Sequence, residues 1–239
     1  MAIKEVQLAP IGLAALGAAG VAAIWAVDGL PAIGWLAALA YLTASNAILL
    51  SALRRRRRSR LGWANVVTAT RSALVGVITG LVAASFVAPI SVPLLIGLVA
   101  PALALDAVDG WVARRTGTTT ELGARFDMEV DAFLLLVLST YVVPILGLWV
   151  LAIGLMRYVF VAAGWMLPWL RLQLPPRYWR KVVTAVQGIA LALAASGLIP
   201  ELAGVIVGVA LAMLVESFGR DVLWLALRSR SRRAVVGAS

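Results

Sequence analysis

LDAVDGWVARRTGTTTELGARFDMEVDAF, residues 105–133, holds six of the chain's 11 acidic residues: Asp106, Asp109, Glu121, Asp127, Glu129 and Asp131. The whole chain of 239 residues is 62% hydrophobic and only 13% charged. A soluble domain carries about 25% charged residues. The excess apolar surface needs a solvent other than water, and spans of about 20 apolar residues suit a bilayer. The acids therefore sit at or near membrane depth, where an ionisable side chain is costly and usually functional.

Helical spacing sorts the six acids. Asp106 and Asp109 are three apart, and Asp127 and Asp131 four apart, so each pair shares one helix face. The polar turn Thr116–Glu121 joins the two helices as antiparallel neighbours, which lets four carboxylates converge. Glu129, two residues from both Asp127 and Asp131, points away from their face, and Glu121 lies outside the set. Four close anions repel, and they either take up protons or bind cations. With no cluster of lysines aimed at the same faces, a metal site is the expected resolution. All-oxygen ligands favour a hard cation, Mg²⁺ or Mn²⁺. Four carboxylates can hold two such ions, an arrangement suited to phosphoryl transfer.

The sequence has no Cys and no His. Disulfides, thiolate catalysis, His-based triads and Cys/His zinc sites are excluded, and a general base must be a carboxylate, Lys or Tyr. The net charge of +10 comes from basic residues beside apolar spans. That placement reads as topology and headgroup contact, not nucleic-acid binding.

Eight apolar stretches are expected, roughly 8–27, 31–53, 66–88, 92–113, 124–142, 145–167, 181–198 and 201–226. Breakers separate them: Asp28-Gly29 with Pro31, Pro89 with Pro93, Pro144, Pro175-Pro176 and Pro200. With both termini in the cytoplasm, the cytoplasmic connections hold Arg54 to Arg58 with Arg60, then Arg114, Arg115 and Arg125, then Arg171, Arg177, Arg180 and Lys181, and finally Arg228, Arg230, Arg232 and Arg233. The opposite connections, near Asp28, Ile90, Val143 and Pro200, contain no Lys or Arg. This is a positive-inside pattern. The first stretch is too long for a signal-peptide core and reads as a retained helix. Residues 229–239 read as a disordered basic tail.

Residues 106–131 resemble the CDP-alcohol phosphotransferases. That family's signature is Asp-x2-Asp-Gly-x2-Ala-Arg-x8-Gly-x3-Asp-x3-Asp. Here it falls on Asp106, Asp109, Gly110, Ala113, Arg114, Gly123, Asp127 and Asp131, with every gap kept. Singly, the glycines would read as small-residue packing between spans. The resemblance implies an all-α integral membrane protein of the cell membrane, with a six-helix core at residues 60–228. Two extra transmembrane helices and a basic loop would precede it at 1–59, and the tail at 229–239 would follow. It also implies transfer of a phosphatidyl group from CDP-diacylglycerol to an alcohol, with release of CMP. The four aspartates would hold two divalent ions, Asp131 would be general base toward the acceptor hydroxyl, and the site would face the cytoplasm. Gly110, Ala113 and Gly123 would keep helix faces open to the donor, and Arg114 can pair with phosphate. Membrane lipids and a second copy in a homodimer are the other expected partners.

Two further segments look like the phosphatidylglycerophosphate synthase and cardiolipin synthase branch. Asn65, Thr68 and Arg71 match Asn-x2-Thr-x2-Arg, a region that in the family approaches the CDP moiety. Lys181, Thr184 and Gln187 match Lys-x2-Thr-x2-Gln and, with Arg157 midway along the sixth span, form the expected acceptor set. Asn65 and Thr68 can equally be capping residues, and Thr184 and Gln187 can equally make interhelical hydrogen bonds. Glycerol 3-phosphate is the leading acceptor; inositol phosphate, serine and phosphatidylglycerol are alternatives. Glu216 and Arg220 are expected to form a structural pair. A cation transporter is the competing class, but spans three to eight hold no second polar cluster at the far side.

Overall fold

The computed structural model describes the backbone of residues 19, 20, 22, 29, 31–55, 63–116, 121–172, 174, 175 and 177–236; within these, the side chains of 52–55, 63–69, 107–116, 121, 122 and 230–236 are not described. The expected first span, 8–27, lies almost wholly outside the described residues.

Seven α-helices account for nearly all of the described chain: α1 Ala32–Arg55, α2 Trp63–Ala84, α3 Val92–Thr116, α4 Glu121–Leu146, α5 Leu151–Met166, α6 Tyr178–Ser196 and α7 Pro200–Val236. Short 3-10 turns at Leu148–Val150 and Pro168–Arg171 flank α5. This is an all-helical integral membrane protein. Among the described residues, Ala32–Ser51, Gly123–Leu146, Leu148–Met166 and Pro200–Ser229 are long and apolar enough to cross a bilayer, and Thr70–Ala84 and Val92–Asp106 are shorter apolar helices. Only helices or closed barrels can satisfy every backbone group in hydrocarbon.

The chain divides into two compact units, residues 1–137 and 138–239, with the boundary inside α4. In the first unit α1 packs on α2 and α2 on α3. Its core holds Leu42, Val75, Ile78, Leu81, Leu95, Val99, Val130 and Leu134. Between helices in lipid the drive is close packing, not exclusion of water, so small residues set the approach. Gly76 and Gly80 do this on α2. A Cβ on Gly80 would lie 2.9 Å from the Gly34 carbonyl oxygen, and one on Gly76 would lie 2.7 Å from the Leu42 side chain.

In the second unit α6 packs on α7, and the Pro168–Arg171 turn lies against α5 and α7. Val183, Leu191, Ala194, Val207, Ala210 and Leu214 are buried there. Large apolar side chains such as Leu36, Ile48, Val159, Val205 and Leu223 are exposed instead, as lipid-facing positions should be.

Helix ends differ from the sequence expectation in two places. Pro144 does not end its helix, because α4 runs through it to Leu146. A proline near a helix C-terminus removes only one donor, and the chain turns instead at Gly147 (φ 98°), whose N–H bonds the Val143 carbonyl at 2.8 Å. The stretch 229–236, read as a disordered tail, continues α7. Arginine is a good helix former, and cations favour a helix C-terminus. At 1.5 Å per residue the 37 residues of α7 extend about 55 Å, beyond the ~30 Å of hydrocarbon.

Candidate metal and phosphate site

Three helices of the first unit build the site. Asp106 lies at the end of the apolar part of α3, Asp127 and Asp131 lie one turn apart near the start of α4, and Arg71 lies on α2. One carboxylate oxygen from each of Asp106, Asp127 and Asp131 falls within 4.8 Å of the others, a group able to hold a metal ion. Glu129 is exposed and outside this group. Asp109, Gly110, Ala113 and Arg114 are on α3, and Asn65 and Thr68 on α2, but their side chains lie outside the described residues. Gly123 is half-buried in the first turn of α4.

The sequence shows no cluster of lysines aimed at these faces, and the cation that the structure places there is an arginine, Arg71. Arg71 is 1% exposed and meets all three carboxylates. Its Nη1 donates to Asp106 Oδ1 at 2.6 Å. Its Nη2 lies 2.8 Å from Asp131 Oδ1 and also contacts Asp127 Oδ1, with the Asp127 backbone carbonyl at 3.3 Å. Its buried Nε has no hydrogen-bond partner among the described residues. A planar guanidinium with five donors in a rigid fork can serve three carboxylates in a fixed geometry. The signal is present in the sequence: Arg71 ends the Asn-x2-Thr-x2-Arg segment, one turn after Thr68.

The charges decide whether a metal still fits. One guanidinium faces three carboxylates, so their charges outnumber the one that Arg71 brings, and like charges this close favour binding a further cation. All-oxygen donors, partly exposed at 40%, 29% and 22% for Asp106, Asp127 and Asp131, suit a hard divalent cation with access from solvent. The residues present fit such an ion.

The other sequence candidates lie in the second unit. Arg157 is half-buried midway along α5, and Lys181 is exposed in the first turn of α6. Thr184 donates back to the Arg180 carbonyl at 3.0 Å. Gln187 is fully buried, and its Nε2 donates to the Ala210 carbonyl at 2.7 Å, tying α6 to α7. Glu216 and Arg220 form the expected pair at 2.8 Å. Trp179 Nε1 donates to the other Glu216 oxygen at 3.1 Å. Sequence reasoning passed over Asp221, which is buried between Arg177 at 3.9 Å and Arg180 at 3.6 Å.

A carboxylate group of this kind, at the edge of apolar helices, could hold a cation. The sequence profile of the CDP-alcohol phosphatidyltransferase family matches residues 61–216, more than half of the chain, and this protein belongs to that family. Its members are transferases of phosphate-containing groups that act in phospholipid biosynthesis by transferring a phosphatidyl group. No curated protein and no solved structure matches the chain.

Proposed function

We propose that this protein transfers the phosphatidyl group of CDP-diacylglycerol to the hydroxyl of a small alcohol, glycerol 3-phosphate in the leading reading, and releases CMP. The observation that carries the proposal is the convergence of Asp106, Asp127 and Asp131 within 4.8 Å inside the family-matched stretch. Asp109, one turn from Asp106 on α3, completes the set for two Mg²⁺ or Mn²⁺ ions. Bound there, divalent ions would neutralise the donor pyrophosphate and make CMP a better leaving group.

The chain's own groups do the rest. Asp131 accepts the proton of the acceptor hydroxyl as its oxygen bonds to the lipid-side phosphorus and the bond to CMP breaks. Arg71 holds the carboxylates in one cluster. Gly110, Ala113 and Gly123 leave room for the nucleotide, with Asn65, Thr68 and Arg114 as its polar contacts. Arg157, Lys181 and Thr184 are assigned to the acceptor, and Gln187 acts behind them by fixing α6 on α7. The positive-inside pattern supports a site facing the cytoplasm, the basic Arg54–Arg60 run supports contact with anionic lipid, and the protein is expected to act as a homodimer.

The test is release of CMP from CDP-diacylglycerol by purified protein with Mg²⁺ or Mn²⁺ across an acceptor panel. Glycerol 3-phosphate should give the fastest release, and silence with every alcohol would remove the reading.

A further inference from the structure

Helix α1, Ala32–Arg55, ends before the family-matched stretch begins at residue 61. It is nevertheless built into the element that carries Arg71. The Gly76 and Gly80 positions of α2 leave no space for a side chain against α1. A Cβ on Gly80 would approach Gly34 O at 2.9 Å and Ala38 Cβ at 3.0 Å, and one on Gly76 would meet Leu42 at 2.7 Å and Tyr41 at 3.3 Å. At Gly80 the contact reaches the α1 backbone and at Gly76 it meets α1 side chains, among them Tyr41, which also reaches the site helices.

Tyr41 touches two of the three helices that Arg71 joins, α2 and α4. Its hydroxyl is 3.2 Å from the Oγ of Ser72, which is buried and adjoins Arg71 on α2. Its ring stacks on Phe133 of α4, with centroids 4.6 Å apart and planes 21° from parallel, two residues beyond Asp131. A lipid-facing helix gains nothing from a tyrosine hydroxyl turned inward unless a partner is there to satisfy it. Arg71 must meet ligands on α3 and α4 at once, so a small change in the spacing of α2 and α4 opens the cluster. Outer groups that hold metal ligands in place typically change metal affinity by about 10–100-fold when removed.

We propose that α1 braces the aspartate cluster and that Tyr41 is its positioning residue, setting the distance between α2 and α4 by one hydrogen bond and one ring stack. Tyr41 touches no substrate; it acts through Ser72 and Phe133. This inference rests on reading the aspartates as the metal site.

The experiment uses the full chain in detergent and reads two quantities: the Mn²⁺ concentration giving half-maximal thermal stabilisation, and the kcat and KM for CMP release. Tyr41→Ala should raise the Mn²⁺ midpoint roughly 10-fold and lower kcat. Tyr41→Phe keeps the stack and should lie between Tyr41→Ala and wild type, and Ser72→Ala should match Tyr41→Phe. Gly80→Val, which displaces α1 through the Gly34 backbone, should reproduce the Tyr41→Ala shift. An unchanged midpoint in Tyr41→Ala and Gly80→Val overturns the brace. If those two variants fail to fold, Tyr41→Phe and Ser72→Ala decide, and wild-type midpoints in both overturn it equally. A wild-type protein that binds Mn²⁺ but releases no CMP defeats the proposed reaction and leaves the midpoint shifts to judge the brace separately.

Discussion

Arg71 and Asp106 stand 35 positions apart in the chain and meet at 2.6 Å, the arginine almost wholly shielded and the aspartate 40% exposed. The arginine is thus anchored in the protein while the carboxylate keeps an open side. The same guanidinium reaches Asp127 and Asp131. The metal-competent group is therefore held from behind by a fixed cation and left able to take another cation in front.

Removing the arginine should leave three carboxylates facing one another without the guanidinium they share. Breaking a buried charge cluster by deleting one partner costs about 3–5 kcal/mol. Arg71→Ala should accordingly melt well below wild type in chelator and recover much of the loss when Mn²⁺ is added. Arg71→Lys, a point charge that cannot fork, should fall between the two. Equal melting of Arg71→Ala and wild type in chelator would contradict the shared-countercharge account.

Asp127→Asn keeps the shape of the side chain and removes one anionic ligand. The Mn²⁺ concentration for half-maximal thermal stabilisation should rise by at least about 10-fold, since ligand charge sets affinity at hard-cation sites. The exposed Glu201, in the first turn of α7, provides the comparison: Glu201→Gln should leave the midpoint where it is. A titration indistinguishable from wild type for Asp127→Asn would remove that residue from the ligand set.

Arg157→Ala should raise the KM for a phosphorylated acceptor several-fold more than the KM for CDP-diacylglycerol, because an arginine carried within an apolar helix is costly and usually functional. Steady-state kinetics with each substrate varied separately makes the comparison. Equal effects on both would sink the acceptor role.

Gln187→Leu should lower thermal stability, because the Ala210 carbonyl loses its side-chain donor inside the α6 and α7 contact. The net loss of one buried hydrogen bond costs about 0.5–1.5 kcal/mol. The KM for the acceptor should change little beside that loss. A large KM change at unaltered stability would place Gln187 in contact with the acceptor itself.

The all-helical membrane fold was legible because composition and spacing are local. Four aspartates at helical intervals in a chain poor in charge pointed to paired helices, and the structure brings Asp106, Asp127 and Asp131 together. Arg71 was harder to read. It lies one helix away from every ligand, and its role depends on how α2 packs against its neighbours, which no local spacing encodes. Tyr41 was hidden for the same reason, since a tyrosine in an apolar stretch reads as an interfacial anchor until its partners are known. The run of α4 through Pro144 escaped the sequence because a proline signals a break equally at either end of its last turn. In α7 the arginines beyond Arg228 supported helix formation as readily as a loose tail.

The central claim is most directly tested by comparing wild type and Asp131→Asn for CMP release from CDP-diacylglycerol with glycerol 3-phosphate, each in Mn²⁺ and in chelator. The account predicts release only by wild type and only with the metal, with nucleotide binding retained in Asp131→Asn. Full activity of Asp131→Asn, or release by wild type in chelator, would contradict it.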